Sequence, residues 1–130
     1  MDEGVDLGRR GEDIALEFLL SKGMTFICRN ARVSHKEVDL IFKDKNFIRF
    51  VEVKSRSYPF IALPLQNVNR EKQMNIIKAA SKMVSKGYIE ADGKKFDLTS
   101  LEVAFDVICI IFNGDFYKLN YIQNAFEPNW

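Results

Sequence analysis

Cysteine is scarce in this chain, histidine scarcer, and neither sign of charge prevails. The 2 cysteines, Cys28 and Cys109, each sit alone in an apolar stretch that reads as a strand. Two isolated thiols make neither a disulfide framework nor a zinc knuckle, so both are expected as buried free cysteines of a reducing compartment. The sole histidine, His35, falls in a predicted loop and reads as solvent-exposed rather than catalytic. With 19 Lys and Arg against 18 Asp and Glu, the formal net charge is +1. A protein that coats nucleic acid is usually more basic. An enzyme acting on nucleic acid is less constrained, because acidic metal ligands offset a basic rim. Long apolar runs are missing as well. Val107 to Phe112, the most apolar stretch, is far too short to span a membrane. The opening residues, with Asp2 and Glu3, carry no apolar signal region. A cytoplasmic protein with no membrane partner is the expectation. Repeats, low-complexity tracts and linkers are absent, so the 130 residues and 15.0 kDa read as a single domain, 1–130. A chain of that size buries roughly two-thirds of its unfolded surface, enough for a sheet with helices packed on it.

What is present falls into a regular order. Leu7, Gly11, Ile14, Ala15, Phe18 and Leu19 recur at helical spacing and end at Gly23. Thr25 to Arg29 reads as a short strand. Glu37 to Lys43 and Phe47 to Lys54 read as two more, joined into a hairpin by the polar turn Asp44-Lys45-Asn46. Ser55 to Asn67, with Pro59 and Pro64, reads as a loop. Asn69 is placed to cap a second helix over Arg70 to Lys86, burying Ile76, Ile77, Ala80, Met83 and Val84 and stopping at Gly87. Tyr88 to Ser100 gives no decisive pattern. Glu102 to Phe112 is a strand rich in β-branched and aromatic residues, and Asn113-Gly114 turns it into a last strand, Phe116 to Tyr121. The order α-β-β-β-α-β-β predicts an α/β fold with a central mixed β-sheet flanked by helices.

Two adjacent strands carry charges where apolar residues are expected. In Phe50-Val51-Glu52-Val53-Lys54 successive side chains alternate faces, so Glu52 and Lys54 share one, about 7 Å apart at Cα. Ile48 and Phe50 precede them on that face, which therefore turns from apolar to charged, as at a wet functional edge. An ordinary ion pair at a strand end is the plainer explanation. Asp39 adds weight. It lies in Glu37-Val38-Asp39-Leu40-Ile41, a strand otherwise bound for the core, where an unpaired Asp is costly to bury. Folding back about Asp44 to Asn46 brings Asp39 and Glu52 to similar heights. Two carboxylates converging there offer hard oxygen ligands suited to Mg²⁺. A salt bridge from Asp39 to Lys54 or to an arginine is the structural alternative.

Asp39, followed after a short hairpin by Glu52-Val53-Lys54, resembles the PD-(D/E)xK signature of restriction-endonuclease-like nucleases. The wider resemblance is to the YraN-like family of uncharacterised proteins, itself similar to archaeal Holliday-junction resolvases. It is carried in order by Gly8, Gly11, Glu12 and Ala15; Asn30 and Arg32; Glu37 to Ile41; Val51 to Arg56; Val68, Asn69, Lys72 and Gln73; Phe105-Asp106-Val107; and Asn124-Ala125-Phe126. The chain departs from the family at Lys36, where Gly is usual and the turn into the strand is expected to differ. It departs again at Ala104, where Arg is usual and a basic contact to substrate is expected to be lost. The resemblance implies a restriction-endonuclease-like core and a metal-dependent endonuclease that hydrolyses DNA phosphodiester bonds, with branched or structured DNA as candidate substrates. It implies Mg²⁺, with Mn²⁺ as a substitute, held by Asp39, Glu52 and the Val53 carbonyl. It makes Lys54 the residue that positions the attacking water and stabilises the transition state. Glu12 matches the first-helix acid that completes such a site in the resolvase-like branch.

Weaker candidates surround this core. Lys72 and Gln73, in the first turn of the second helix, are placed for phosphate contact. Arg56 follows the Lys54 strand and could grip a phosphate; Arg32 and Lys36, with Arg9 and Arg10, could form a basic rim. Asp106, inside an apolar strand, reads as a paired structural acid. Phe126 and Trp130 either pack on the body or face a partner. Two further readings stand beside the nuclease: a non-catalytic nucleic-acid-binding or adaptor module on the same fold, and a protein-interaction domain. Resolvase-like relatives act on symmetric substrates as pairs, which makes a homodimer an expectation of the resemblance.

Overall fold

The structure, a computed structural model, describes residues 3–59 and 69–127. Residues 60–67 of the expected loop, with Pro64, as well as the motif residue Val68 and Trp130, lie outside the described residues. Helix α1 runs Glu3–Ser21 and leads into β1 (Thr25–Val33), β2 (Lys36–Asp44) and β3 (Phe47–Ser57). Helix α2 (Arg70–Lys86) follows, then the short pair β4 (Tyr88–Ala91) and β5 (Lys94–Asp97), and finally β6 (Glu102–Asn113) and β7 (Phe116–Ile122). The main sheet has the order β1-β2-β3-β6-β7. Only β3 and β6 run parallel, from Phe47↔Glu102 to Ser57↔Phe112; the other neighbours are antiparallel. A parallel pair needs a crossover, and α2 lies in it. The α/β class and the central mixed sheet are as the sequence predicts.

Each face of the sheet has its own core. On one, Ile41, Ile48, Phe50, Phe105 and Val107 pack against Ile76, Ile77, Ala80 and Met83 of α2. On the other, Leu40, Phe42, Val51, Ile108 and Ile110 pack against Ala15 and Leu19 of α1. Alternation along a strand thus assigns side chains to the α2 face or the α1 face, and it breaks in β2 at Asp39, since Val38 joins the α2-side core while Leu40 and Phe42 join the α1-side one. At Gly11, α1 comes so close to β3 that an added Cβ would run into the Ser55 hydroxyl and lie 3.1 Å from Ser55 Cβ.

The caps of α2 are those read from sequence. Asn69 accepts the Lys72 N–H at 2.8 Å, and Gly87 closes the helix in the left-handed conformation with φ 82°. Beyond one-residue shifts at the ends of β2, β6 and β7, three features differ. β1 extends to Val33 rather than Arg29, because β2 pairs with it through Val33↔Lys36 although its outer residues are polar. β3 extends to Ser57, held by β6 along its whole length. The last turn has Gly114 and Asp115 at its centre, one residue later than Asn113-Gly114, since Asn113 pairs with Phe116. The undecided segment 88–100 forms a separate two-stranded hairpin, which lays Ile89 and Leu98 on the α2-side core. Among the described residues, no helix is long and apolar enough to cross a membrane.

Candidate functional site

The β2–β3 ladder ends early. Its last pair is Leu40↔Val51, so Asp39 and Glu52 stand just beyond it, where the two strands part. The gap leaves the Val53 N–H without a backbone partner in β2, and the Asp39 carboxylate takes that place, accepting it through Oδ2 at 2.8 Å. In a strand, N–H and C=O of one residue point to the same side. The Val53 carbonyl therefore faces this gap as well.

Glu52 lies on the α2 face and is 2% exposed. Its Oε1 is 3.4 Å from Lys54 Nζ and 3.6 Å from Lys72 Nζ, the latter reaching over from the first turn of α2. Among the described residues its Oε2 is buried with no hydrogen-bond partner. An orphaned carboxylate oxygen in the interior is costly and asks for a proton or a cation. Asp39 and Glu52 interact directly. Burial, and then the charge of Glu52, push the Asp39 carboxyl up to about 7, against the pull of the Val53 N–H and of Lys72. Burial raises Glu52 too, held back by Lys72 and Lys54. Without a cation, the pair resists carrying two negative charges.

Glu12 approaches from α1, across the parted strands. Its carboxyl is raised by burial and then by the charge of Asp39, with Arg29 opposing. Arg29 holds it through Nη2 at 3.3 Å and holds Asp13 through Nη1 at 3.1 Å. With its NH₂ turned toward the acids, the Asn30 amide bridges Glu12 Oε1 and Glu37 Oε1, each at 3.1 Å. Among the described residues, no three His, Cys, Asp or Glu side chains converge closely enough to form a ready-made ligand set. The hard oxygens available to one cation are those of Asp39 and Glu52, with the Val53 carbonyl. Oxygen donors of this kind fit Mg²⁺ or Mn²⁺, and the unpartnered Glu52 Oε2 is the atom such an ion would satisfy.

The remaining candidates are spread out. Lys54 and Lys72 are at the carboxylates. Gln73 stays on α2, where its Oε1 accepts from Arg70 at 3.4 Å. Arg56 follows Lys54 on the same face and donates to the Ser55 carbonyl at 2.9 Å. Arg32 is exposed on the edge strand and pairs with Glu37 at 3.2 Å. Lys36 opens β2 opposite Val33, after a turn in which Ser34 adopts φ 59° and His35 is exposed. Arg9 and Arg10 are exposed on α1, with Arg10 stacked 4.5 Å over the Phe112 ring. The expected loss of a substrate contact at Ala104 needs correction. Ala104 is 2% exposed and belongs by alternation to the α1 face, away from Glu52, so a side chain there meets the core.

Sequence reasoning placed Lys72 in a phosphate-binding turn and missed that it reaches Glu52. The helix was legible, but the way it crosses the β3 face was not. Asn30 and Arg29 were missed as partners of Glu12; the clue was a strand carrying Arg29, Asn30 and Arg32 close together beside acidic neighbours.

The model of the uncharacterised protein family UPF0102 matches residues 11–110. The chain is 39% identical over 127 residues to a UPF0102 protein of Chlorobium phaeobacteroides strain BS1, covering 93% of this chain and 94% of that one. It is 35% identical over 123 residues to a UPF0102 protein of Dictyoglomus turgidum (93% and 97% covered), and 39% identical over 122 residues to one of Clostridium acetobutylicum (92% and 93%).

Proposed function

Since the chain belongs to the uncharacterised protein family UPF0102, the YraN-like family its motifs resemble, we propose that it is a metal-dependent endonuclease hydrolysing DNA phosphodiester bonds. One observation carries this reading. A carboxylate pair, the half-buried Asp39 and the buried Glu52, sits where two strands part, with an oxygen of Glu52 left unpartnered among the described residues and two lysines beside it. A purely structural pair would be expected to close its hydrogen bonds. Asp39, Glu52 and the Val53 carbonyl would hold a Mg²⁺ or Mn²⁺ ion, and Glu12 would stand at its rim. Bound there, the cation would supply Lewis-acid polarisation of a phosphodiester and acidify a water.

The chain's own residues do the rest. Asp39 is held by the Val53 N–H through one oxygen, which leaves its second oxygen for a ligand. Lys54 projects beside Glu52 and is placed to orient the attacking water and to meet charge building on the phosphate oxygens. The half-buried Arg56 extends the positive line along the same strand face. Branched or structured DNA is the proposed substrate class.

The test is cleavage of labelled linear duplex, single-stranded and four-way-junction DNA, with Mg²⁺ or Mn²⁺ and with chelator, by the native protein and Glu52→Gln. Metal-dependent cutting that falls by about a hundredfold or more in the variant is the expected result. Salt-sensitive DNA binding without cutting of any substrate would instead support the adaptor reading.

A further inference from the structure

We propose that Lys72 is a positioning residue that works by exchange: it occupies Glu52 while the site is free of metal and DNA, and moves to a DNA phosphate when substrate arrives, so that metal and DNA bind cooperatively. This rests on the nuclease reading above. Glu52 is 2% exposed, and a lone carboxylate buried so deeply is strongly disfavoured. Lys72 Nζ stands 3.6 Å from its Oε1, and Lys54 Nζ stands 3.4 Å from the same atom. Two cations on one oxygen, with Oε2 unpartnered, exceed what a simple ion pair needs.

The two lysines are held differently. Lys54 is on β3, inside the sheet and two residues from Glu52. Lys72 is the third residue of α2, its side chain 36% exposed, so its ammonium can leave for solvent or a ligand without moving the helix. Its backbone N–H is already taken by Asn69, which fixes where the side chain starts. At a helix N-terminus the departing ammonium meets a phosphate in a field that already favours anions. Once it leaves, Glu52 loses a repelling neighbour of any incoming cation. Each event then favours the other, and the coupling is reciprocal.

The experiment begins with Mn²⁺ titrations of the free protein, native against Lys72→Met and Lys72→Gln, by calorimetry without DNA. Removing a positive charge this close should tighten Mn²⁺ binding about three- to tenfold. The second arm uses a Lys54→Met background, in which DNA stays uncut and Lys72 is the only cation within ion-pair distance of Glu52 among the described residues. There a 30-base-pair duplex should raise Mn²⁺ affinity several-fold when Lys72 is present and leave it nearly unchanged when Lys72 is Met or Gln. DNA affinity should fall about tenfold in the latter, and the salt slope by about one. Lys72→Arg should restore the DNA affinity. Equal or weaker Mn²⁺ binding by the folded variants, or coupling that survives the loss of Lys72, would overturn the exchange while leaving the nuclease reading intact. Absence of Mn²⁺ binding by the native protein, with and without DNA, would overturn both.

Discussion

Asp39 accepts the Val53 N–H and faces Glu52 at once, and the two contacts act oppositely on its charge. The hydrogen bond favours the anion; burial and the neighbouring carboxylate favour the acid. The acid prevails, with the carboxyl pushed up to about 7 from an ordinary value of 3.8. Between those pH values the folded chain binds a proton that the unfolded chain does not. Metal-free stability should therefore decline as pH rises from about 4 to about 7, and stay lowered above that. Asp39→Asn keeps an acceptor for Val53 and adds a donor for Glu52. It should raise stability at pH 8 in chelator by on the order of 1 kcal/mol, a few degrees in Tm, with the gain fading toward pH 4. Thermal melts of both proteins across that range check it; a gain that persists unchanged at pH 4 would show that the carboxyl's charge is not its cause. On the metal-site reading proposed above, a saturating divalent cation should reverse the order, stabilising only the native protein.

Helix α1 meets β3 through an absence. Gly11 lowers helix propensity by about 1 kcal/mol relative to Ala, so its place in mid-helix needs a reason. The reason is Ser55, whose hydroxyl an added methyl would strike. Turning the hydroxyl away still leaves the new Cβ 3.1 Å from Ser55 Cβ. Overpacking of this kind costs about 1–3 kcal/mol, more than the propensity regained. Gly11→Ala should thus lower the urea midpoint by an amount equivalent to about 1 kcal/mol, and Gly11→Ala with Ser55→Gly should recover most of it. Equal midpoints for the native protein and Gly11→Ala would mean that the helix rests farther from the sheet.

Elements differ in how plainly the sequence announces them. Helix α2 was legible to the residue, because Asn69 and Gly87 act locally on the backbone and need no tertiary partner. The β2–β3 hairpin was legible from period-two alternation around Lys45-Asn46. It placed Asp39 near Glu52 correctly, but not the early end of the ladder that puts the Asp39 carboxylate on the Val53 N–H. The outer half of β1 was hidden, since an edge strand with Arg29, Asn30 and Arg32 shows no apolar face. The β4–β5 hairpin was hidden as well: Ile89 and, just past β5, Leu98 are the buried apolar residues of this segment, too few to make a period. Contacts between elements, such as Lys72 over Glu52, depend on where a helix crosses a sheet, which no local pattern encodes.

Over the whole molecule, one buried group ties distant parts of the chain together. Asp106, fully buried, accepts from Arg49 at 3.1 and 3.2 Å, from the Tyr121 hydroxyl at 2.6 Å and from the Asn124 N–H at 3.0 Å. Arg49 also reaches Asp44 at 3.3 Å. Burial and Asp106 push the Tyr121 phenol well above its ordinary range. The expectation of a paired structural acid fits this arrangement. Arg49 sits directly across the ladder from Ala104. Arg49→Met leaves Asp106 charged and buried without its main partner, which should cost about 3–5 kcal/mol. Denaturation by urea would show it; a loss under 1 kcal/mol would mean that Tyr121 and Asn124 suffice.

The early end of the β2–β3 ladder also bears on how this lineage can change. Because the Asp39 carboxylate does the work of a missing backbone carbonyl, selection for folding alone would retain an acceptor at that position even in a descendant that had abandoned chemistry. Glu52 completes no backbone ladder in this way; its ion pairs are with the side chains of Lys54 and Lys72. On the nuclease reading proposed above, a branch released from catalysis should therefore see position 52 drift first, toward residues that no longer bury a charge, and position 39 follow late or stop at Asn.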